Sequence, residues 1–138
     1  MIGLLLVTHG EIGTSLVESA TQILGRAPQQ VATLSVWRQD DPDDLVLRAR
    51  EILESIDAGD GVLVLTDIFG ATPGNVVSRL LENGRVEGVS GASLPMLLRV
   101  LAARNGSPPL TLGAAVQRAL SGGAEGVVHM NTDRCCDA

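Results

Sequence analysis

Short apolar runs alternate along the chain with stretches that have the spacing of helices. Residues 4–7 are all apolar and lead to His9, which predicts a short strand buried on both faces of a parallel sheet. Residues 62–65 repeat this plan and lead to Asp67. Two buried strands are therefore expected to carry an ionisable side chain at their carboxyl ends.

The first half of the chain also predicts an edge strand and two helices. Residues Val31–Val36 alternate between apolar and polar positions, as in a strand with one exposed face or at the edge of a sheet. Asp41 and Pro42 are a side-chain cap and a first-turn proline, which predict the start of a helix. Ser15 and Glu18 have the spacing of a capping box, so we expect another helix to begin there.

In the second half, Thr72 and Pro73 predict the N-cap and first turn of a helix that follows the second buried strand. The free backbone N–H groups at such a helix start can bind an anion. Val86–Ser90 is a weaker, glycine-interrupted strand, and a helix beginning at Leu94 follows it.

The C-terminal part predicts one more helix and one more strand. The helix covers residues 111–120, and Gly122 and Gly123 are expected to end it. Residues 126–130 predict a last short strand, and residues 131–138 a disordered polar tail.

Residues 1–130 together predict one α/β domain, a three-layer, doubly wound and mostly parallel sheet with helices on both faces. In such sheets, ligands and chemistry collect at the carboxyl ends of the strands. We therefore expect the site at the edge where His9 and Asp67 follow their strands. A loop histidine without a role remains the alternative at this point.

Composition narrows the possible functions. The chain has 138 residues, a net charge of −6 and ten basic residues, all of them arginine. Without a basic run a nucleic-acid partner is disfavoured, whereas a partner with a basic docking face is favoured. No apolar stretch is long enough for a signal peptide or a membrane span, so a cytoplasmic protein is expected. Cys135 and Cys136 are adjacent, which is a poor arrangement for a structural disulfide.

Three common kinds of active site are disfavoured because the chain lacks the residues that they need. A Gly-x-Ser-x-Gly elbow is absent, and a phosphate loop needs a lysine that the chain lacks. His9 and His129 are too few histidines for an ordinary catalytic zinc, so neither a metal nor a cofactor is expected. Histidine itself remains as a nucleophile: if Asp67 orients one ring nitrogen, the other is free to attack. A phosphoryl group there could lie against the helix that starts at Thr72.

Three spaced motifs carry a family resemblance. They are Thr8-His9-Gly10, LTDIFGATPGN at residues 65–75 and SGASLPML at residues 90–97. Together they resemble the IIA component of the mannose family of the bacterial phosphoenolpyruvate-dependent sugar phosphotransferase system. The likeness runs from residue 1 to about residue 130. Ser93 stands where the family usually has Asn, and Ala71 and Gly74 where Gly and Ser are common.

The resemblance implies a function and a set of site residues. His9 would accept a phosphoryl group from the carrier HPr and pass it to a IIB component, while Asp67 hydrogen-bonds its ring. The protein would be a homodimer in which the last strand, at residues 127–128, crosses to the partner as an antiparallel strand. It would meet the membrane only indirectly, through a IIC/IID permease. The residues expected to bind phosphate are Thr66, Gly70, Ala71 and Thr72, and those expected to dock partners are Ile12, Phe69, Leu94 and Pro95.

Two other hypotheses remain open from the sequence. One keeps the phosphohistidine but changes the role, to a regulatory phosphocarrier without a permease or to the phosphotransfer subunit of a dihydroxyacetone kinase. The other is a flavodoxin-like binding module that is not phosphorylated. The sequence indicates no sugar specificity under any of them.

Overall fold

The computed structural model describes residues 1–132, which form four strands and five helices. In chain order these are β1 (Gly3–His9), α1 (Ile12–Leu24), β2 (Val31–Val36), α2 (Pro42–Ile56), β3 (Val62–Thr66), α3 (Thr72–Ser78), β4 (Val86–Ser90), α4 (Leu94–Arg104) and α5 (Leu112–Glu125). The predicted alternation of strands and helices is confirmed up to α5.

The four strands form one parallel sheet in the order β2-β1-β3-β4. β1 and β3 are the central strands, as their apolar runs predicted, and the alternating β2 lies at an edge. From β1 the chain moves to β2 on one side and then returns to β3 on the other side of β1. The connections that leave β1 and β3 therefore diverge, and a topological switch point lies between these two strands.

The core lies on both faces of the sheet because side chains alternate along β1. Leu4 and Leu6 pack in a cluster with α1, α4 and α5, whereas Leu5 and Val7 pack in a cluster with α2 and α3. All four side chains are fully buried. Burial of each contributes about 1.5–3 kcal/mol. The predicted doubly wound α/β fold is confirmed.

The start of α1 differs from the predicted capping box. The helix begins at Ile12, so Ser15 lies inside it, and Glu11 at the N-cap makes no side-chain hydrogen bond to the helix. The prediction is wrong because β1 supplies the acceptor instead. The Thr8 hydroxyl oxygen accepts a hydrogen bond from the backbone N–H of Gly13 at 2.8 Å.

The predicted start of α2 is confirmed, and that of α3 is wrong by one residue. Asp41 caps α2 by accepting a hydrogen bond from the Asp43 N–H at 3.0 Å. In α3 the N-cap is Ala71, and Thr72 already belongs to the first turn. Pro73 still lies in that turn, where a missing N–H removes no helical hydrogen bond.

The end of α5 is later than predicted because two glycines serve packing instead of termination. Gly122 and Gly123 lie inside the helix, which continues to Glu125. A Cβ atom added at Gly122 would lie 2.8 Å from the Cβ of Arg99, and one at Gly123 would lie 2.9 Å from the Cε of Met96. The absence of side chains at these positions lets α5 pack closely on α4.

The predicted strand at residues 126–130 is wrong for the described single chain. A strand needs a neighbouring strand for its backbone hydrogen bonds, and within residues 1–132 this segment pairs with none of the four strands. Its first residue, Gly126, lies against Pro95 of α4. Val127 and Met130 are 86% and 78% exposed. Exchange of this segment in a dimer stays a prediction.

The predicted tail lies mostly outside the described residues, which end at Thr132. Thr132 donates its backbone N–H to the carbonyl of His129 at 3.0 Å. Residues 133–138, with Cys135 and Cys136, are not described, so the prediction for the tail is not tested.

The turn between α2 and β3 depends on the carboxylate of Asp57. One oxygen accepts the N–H groups of Gly59 at 2.8 Å and Gly61 at 3.1 Å. The Gly59 hydrogen bond is the main cause that holds the pKa of Asp57 below its usual value of 3.8. This outweighs burial, which raises the pKa, and Gly61 and Arg85 add to the lowering. A carboxyl with a lowered folded-state pKa stabilises the fold above its unfolded-state pKa and loses this effect as the pH falls through the folded-state value.

We expect Asp57→Asn to lower the free energy of unfolding at neutral pH by about 1 kcal/mol, since a hydrogen bond to a charged acceptor is the stronger kind. The difference from the parent protein should shrink as the pH falls through the folded-state pKa of Asp57, which lies below 3.8. Urea unfolding at neutral pH and at an acid pH measures it. Glu51→Gln on the exposed side of α2 removes the same charge and is the control. An equal loss at both pH values would contradict a charge-dependent role.

Candidate active site

The end of β1 is built so that α1 starts directly above it. Thr8 is buried, and its hydroxyl fixes the N–H of Gly13 in the first turn of α1. A Cβ atom added at Gly13 would lie 3.0 Å from that hydroxyl and 3.2 Å from the Cβ of Leu6. Gly10 turns the chain between strand and helix with a φ of +50°. His9 is thereby presented at the edge of the sheet, with its side chain 48% exposed.

Asp67 lies beside His9 because β1 and β3 are neighbours. Val7 is paired with Thr66 in the parallel register, so His9 at the end of β1 and Asp67 directly after β3 meet at the same edge. The Nδ1 atom of His9 lies 2.8 Å from Oδ2 of Asp67, which also accepts the backbone N–H of His9 at 3.0 Å. The N–H of Ile68 binds the other carboxylate oxygen at 3.1 Å. The carboxylate is thus fixed from both sides, and Nε2 of His9 is the ring nitrogen left free.

The charge of Asp67 follows from competing effects. Burial alone would raise the pKa of Asp67, but the hydrogen bonds from the ring and backbone of His9, with the attraction of the imidazole, lower the pKa below its usual 3.8. Asp67 is therefore ionised near neutral pH and can only accept hydrogen bonds. A neutral His9 ring must then carry its proton on Nδ1, which leaves the lone pair on Nε2.

The four residues expected to bind phosphate have different surroundings. Thr66 is buried, and its hydroxyl lies 3.5 Å from Oδ1 of Asp67, so it faces the carboxylate. Gly70 has a φ of +88°, which favours glycine, and Ala71 caps α3 without a side-chain hydrogen bond. Of the four, Thr72 lines a cavity together with His9.

The residues expected to dock partners are exposed to different degrees. Ile12 and Phe69 are large apolar side chains that are 46% and 82% exposed. Leu94 is half-buried against the core cluster on the α4 face. Pro95 is exposed but lies against Gly126 at the end of α5. Ile68, which the sequence analysis did not single out, is also exposed beside Phe69.

The α4 side of this edge is held by Ser93, the residue that stands where the related family usually has Asn. Its hydroxyl accepts the N–H of Met96 at 3.3 Å and so caps α4. The N–H of Ala92 donates to the carbonyl of Thr66 at 3.0 Å. Serine therefore supplies the cap at the start of α4, where an asparagine could do the same.

A cavity of about 520 Å³ lies beside His9, and sequence reasoning missed most of its wall. Besides His9, Val36 and Thr72, its lining residues come from the loop after β2 and the start of α2: Trp37, Arg38, Asp40 and Pro42. The available signal was that a tryptophan and an arginine directly follow a predicted strand. Only the strand order, which pairs Val36 with His9, brings them to the site.

Neither a metal centre nor a membrane segment is found in the described part of the chain. Within residues 1–132, no three His, Cys, Asp or Glu side chains are grouped so that they could hold a metal ion. None of the helices there has both the length and the apolar character needed to cross a membrane.

The general class of this protein is therefore that of doubly wound α/β proteins with a histidine–carboxylate pair at the switch point of the sheet. The chain belongs to the EIIA-man family, described as the PTS system fructose IIA component, whose model matches residues 3–119.

Two curated relatives agree with this family, and one solved structure agrees with the fold. The chain is 29% identical over 127 residues to the PTS system mannose-specific EIIAB component of Escherichia coli. This alignment covers 91% of the chain but 38% of the Escherichia coli protein. The chain is 31% identical over 105 residues to the PTS system fructose-specific EIIA component of Bacillus subtilis, covering 75% and 71% of the two chains. A Streptococcus agalactiae phosphotransferase system component EIIA has the same fold, with a TM-score of 0.83, 24% identity and coverage of 96% and 99%.

A shorter match concerns a regulatory protein. Over 68 residues the chain is 32% identical to the transcriptional regulatory protein LevR of Bacillus subtilis. The aligned residues make up 49% of this chain and 7% of LevR.

We expect the neutral ring of His9 to carry its proton on Nδ1, measurable from the ¹⁵N shifts of the imidazole. Asp67→Ala should move the ring toward protonation on Nε2, because the fixed acceptor beside Nδ1 is lost. The exposed His129, whose Nδ1 lies 2.6 Å from the Thr132 hydroxyl, is an internal control that should not change. A His9 ring protonated on Nε2 in the parent protein would contradict the assignment.

Proposed function

We propose that this protein is a phosphocarrier of a sugar phosphotransferase system, in which His9 accepts a phosphoryl group from phosphorylated HPr and passes it to a IIB component. The observation that carries the proposal is the 2.8 Å contact between Nδ1 of His9 and the Asp67 carboxylate. In a neutral ring this contact places the proton on Nδ1, so Nε2 carries the lone pair and has a fixed direction, as a nucleophile requires.

The transfer follows from this geometry. The lone pair on Nε2 of His9 forms a bond to phosphorus while the N–P bond of the donor histidine breaks, and the electron pair of that bond returns to the donor ring. Nδ1 keeps its proton, so the phosphorylated ring of His9 becomes cationic opposite the Asp67 carboxylate. Asp67 thus stabilises the charge that develops during transfer. Transfer to the acceptor reverses these steps.

The phosphoryl oxygens would lie against the loop between β3 and α3. In this proposal the backbone N–H groups of Gly70, Ala71 and Thr72 donate to them, as N–H groups at the start of a helix can. Thr66 acts one step away, since its hydroxyl faces Asp67 instead of the exposed ring nitrogen.

Partner proteins would approach over the exposed apolar side chains around His9. Ile12 and Phe69 supply apolar contact area, and Leu94 and Pro95 extend the surface along α4. The net charge of −6 favours partners with a basic docking face and increases their rate of encounter. Such complexes must also separate quickly, which suits a small apolar surface.

The wider context is part of the same proposal. The chain spans 38% of the length of the Escherichia coli EIIAB component that it matches, so donor, acceptor and substrate are inferred from the family. We propose that the domain comprises residues 1–130 and acts in the cytoplasm as a homodimer, with the exposed segment at residues 127–128 crossing to the second subunit. The sugar permease is then reached only through IIB.

A regulatory role is the second candidate function. The partial identity with LevR supports it, because that protein is named as a transcriptional regulator. The chemistry at His9 would be unchanged, but the phosphorylation state would be recognised by a partner that takes no phosphoryl group. Capture of partners by the phosphorylated and unphosphorylated forms separates the roles: transport requires transfer to a IIB component, and regulation requires a partner selective for one form.

Incubation with phosphoenolpyruvate, enzyme I and HPr should place one acid-labile, base-stable phosphoryl group on Nε2 of His9. ³¹P and ¹⁵N NMR would identify the nitrogen. His9→Ala should abolish labelling. His129→Ala should not, since His129 is an exposed histidine in the segment that follows α5. Stable phosphate on His9→Ala would overturn the assignment of the site.

Asp67→Asn should fold normally and accept phosphate from HPr at least about tenfold more slowly, because groups that orient and stabilise a nucleophile contribute about 10²–10⁴ in rate. Rapid-quench kinetics measure the rate. Asp60→Asn at the opposite end of β3 is a matched control, since it removes the same charge far from His9. Transfer at the parent rate in Asp67→Asn would contradict the proposed role of the carboxylate.

A further inference from the structure

The loop between β2 and α2, residues 37–41, supplies three of the residues that line the cavity beside His9. It lies there because β2 is the other neighbour of β1, with Val36 paired to His9. The N–H of Gly10 donates to the carbonyl of Val36 at 2.9 Å, which ties the loop after His9 to the end of β2. The backbone of residue 38 therefore lies at the same edge of the sheet as His9.

This loop has a fixed shape. The N–H of Trp37 donates to the carboxylate of Asp40 at 2.8 Å, and the N–H of Asp40 donates to the carbonyl of Trp37 at 3.0 Å. The Trp37 ring packs beside Gly10, where an added Cβ atom would lie 3.3 Å from the ring. A closed turn and a packed indole thus position the backbone of the two residues between Trp37 and Asp40, of which Arg38 lines the cavity.

The charges around the cavity make Arg38 the group that a phosphoryl group would meet. The lining includes the carboxylate of Asp40, and the ionised Asp67 lies directly behind His9. A phosphoryl group carries about −1.5 to −2 charges near neutral pH. Among the described residues, Arg38 is the cation in the lining of this cavity, and no carboxylate of residues 1–132 lies within ion-pair distance of its guanidinium.

The start of α3 does not supply a positive charge that could replace Arg38 beside a phosphoryl group. Its first turn contains Pro73, which has no N–H to donate, and the helix is only seven residues long. A guanidinium, in contrast, presents two parallel N–H donors that match two phosphoryl oxygens.

We propose that Arg38 binds the phosphoryl group on His9, as a catalytic residue that neutralises the oxygens while Asp67 stabilises the ring. This inference rests on the proposed function. Arg38 would contact the transferring group in both directions: its N–H groups stay with the phosphoryl oxygens while the bond to Nε2 forms or breaks, and no further reactant is needed.

The experiment compares Arg38→Gln and Arg38→Lys with Arg26→Gln. Arg26 is also exposed and its loss changes the net charge equally, but it precedes β2 and so lies at the opposite edge of the sheet. Each protein is phosphorylated in two ways, by phosphorylated HPr and by phosphoramidate, a small donor that needs no protein contact. The ³¹P resonance of the isolated phosphoprotein and the dependence of the transfer rate on HPr concentration are then measured.

If Arg38 binds the phosphoryl group, Arg38→Gln shifts the ³¹P resonance and lowers the maximal transfer rate at least about tenfold. Arg38→Lys should restore the rate in part, because it keeps the charge but not the paired donors. Arg26→Gln should match the parent protein in both measurements. Circular dichroism spectra that match the parent show that each variant is folded.

Two results would overturn the inference. One is an unchanged ³¹P resonance in Arg38→Gln. The other is a higher KM for HPr at an unchanged maximal rate, which would make Arg38 a partner contact only. The two donors also separate this inference from the proposed function. If phosphoramidate labels the proteins and Arg38→Gln shifts the resonance, but HPr transfers nothing to the parent protein, then the role of Arg38 is retained and HPr is rejected as the donor. A parent protein that neither donor phosphorylates on His9 rejects both.

Discussion

The register between β1 and β3 is the constraint on which the rest of the site depends. Because Val7 is paired with Thr66, the carboxylate of Asp67, which follows β3, reaches both the ring and the backbone N–H of His9, the last residue of β1. A shift of one residue would turn every side chain of β3 to the opposite face. Such a shift would expose Leu63 or Leu65 to the wrong core cluster, so the packing of both faces protects the geometry of the site.

The central part of this arrangement could be predicted from the sequence because it depends on local signals. Two apolar runs are long enough to be buried on both faces, and each is followed by a single ionisable residue. Since the ends of parallel strands share an edge, the proximity of His9 and Asp67 needed only the assumption that β1 and β3 are neighbours. The helix starts were less reliable: Asp41 caps α2 as predicted, whereas Ser15 lies inside α1, because Thr8 of the neighbouring strand supplies the acceptor.

The features that could not be predicted depend on tertiary neighbours. Arg38 and Trp37 lie at the site only because β2 is a neighbour of β1 in the sheet. This strand order cannot be deduced from local sequence patterns. Gly122 suggested a helix end, but it permits contact between α5 and α4. Arg104 has the sequence position of an ordinary surface arginine at a helix end. It is nevertheless buried, and its guanidinium donates to the carbonyls of Ile2 at 3.1 Å and Gln29 at 2.5 Å. It thereby ties the opposite edge of the sheet together.

The exposure of His9 is itself informative about the kind of chemistry that the site can support. An enzyme that completes a reaction on a small substrate encloses it, which excludes water and strengthens the electrostatic interactions. Here the side chain of His9 is 48% exposed at the edge of the sheet, and Phe69, two residues after Asp67, is 82% exposed. Under the proposed function, the partner protein would cover this site during transfer. In the proposed reaction Asp67 stabilises the ring and Arg38 contacts the phosphoryl oxygens, and both would act when the N–P bond forms and when it breaks. Such symmetry would suit a carrier, because a site that bound the phosphoryl group too tightly would receive it readily but release it slowly.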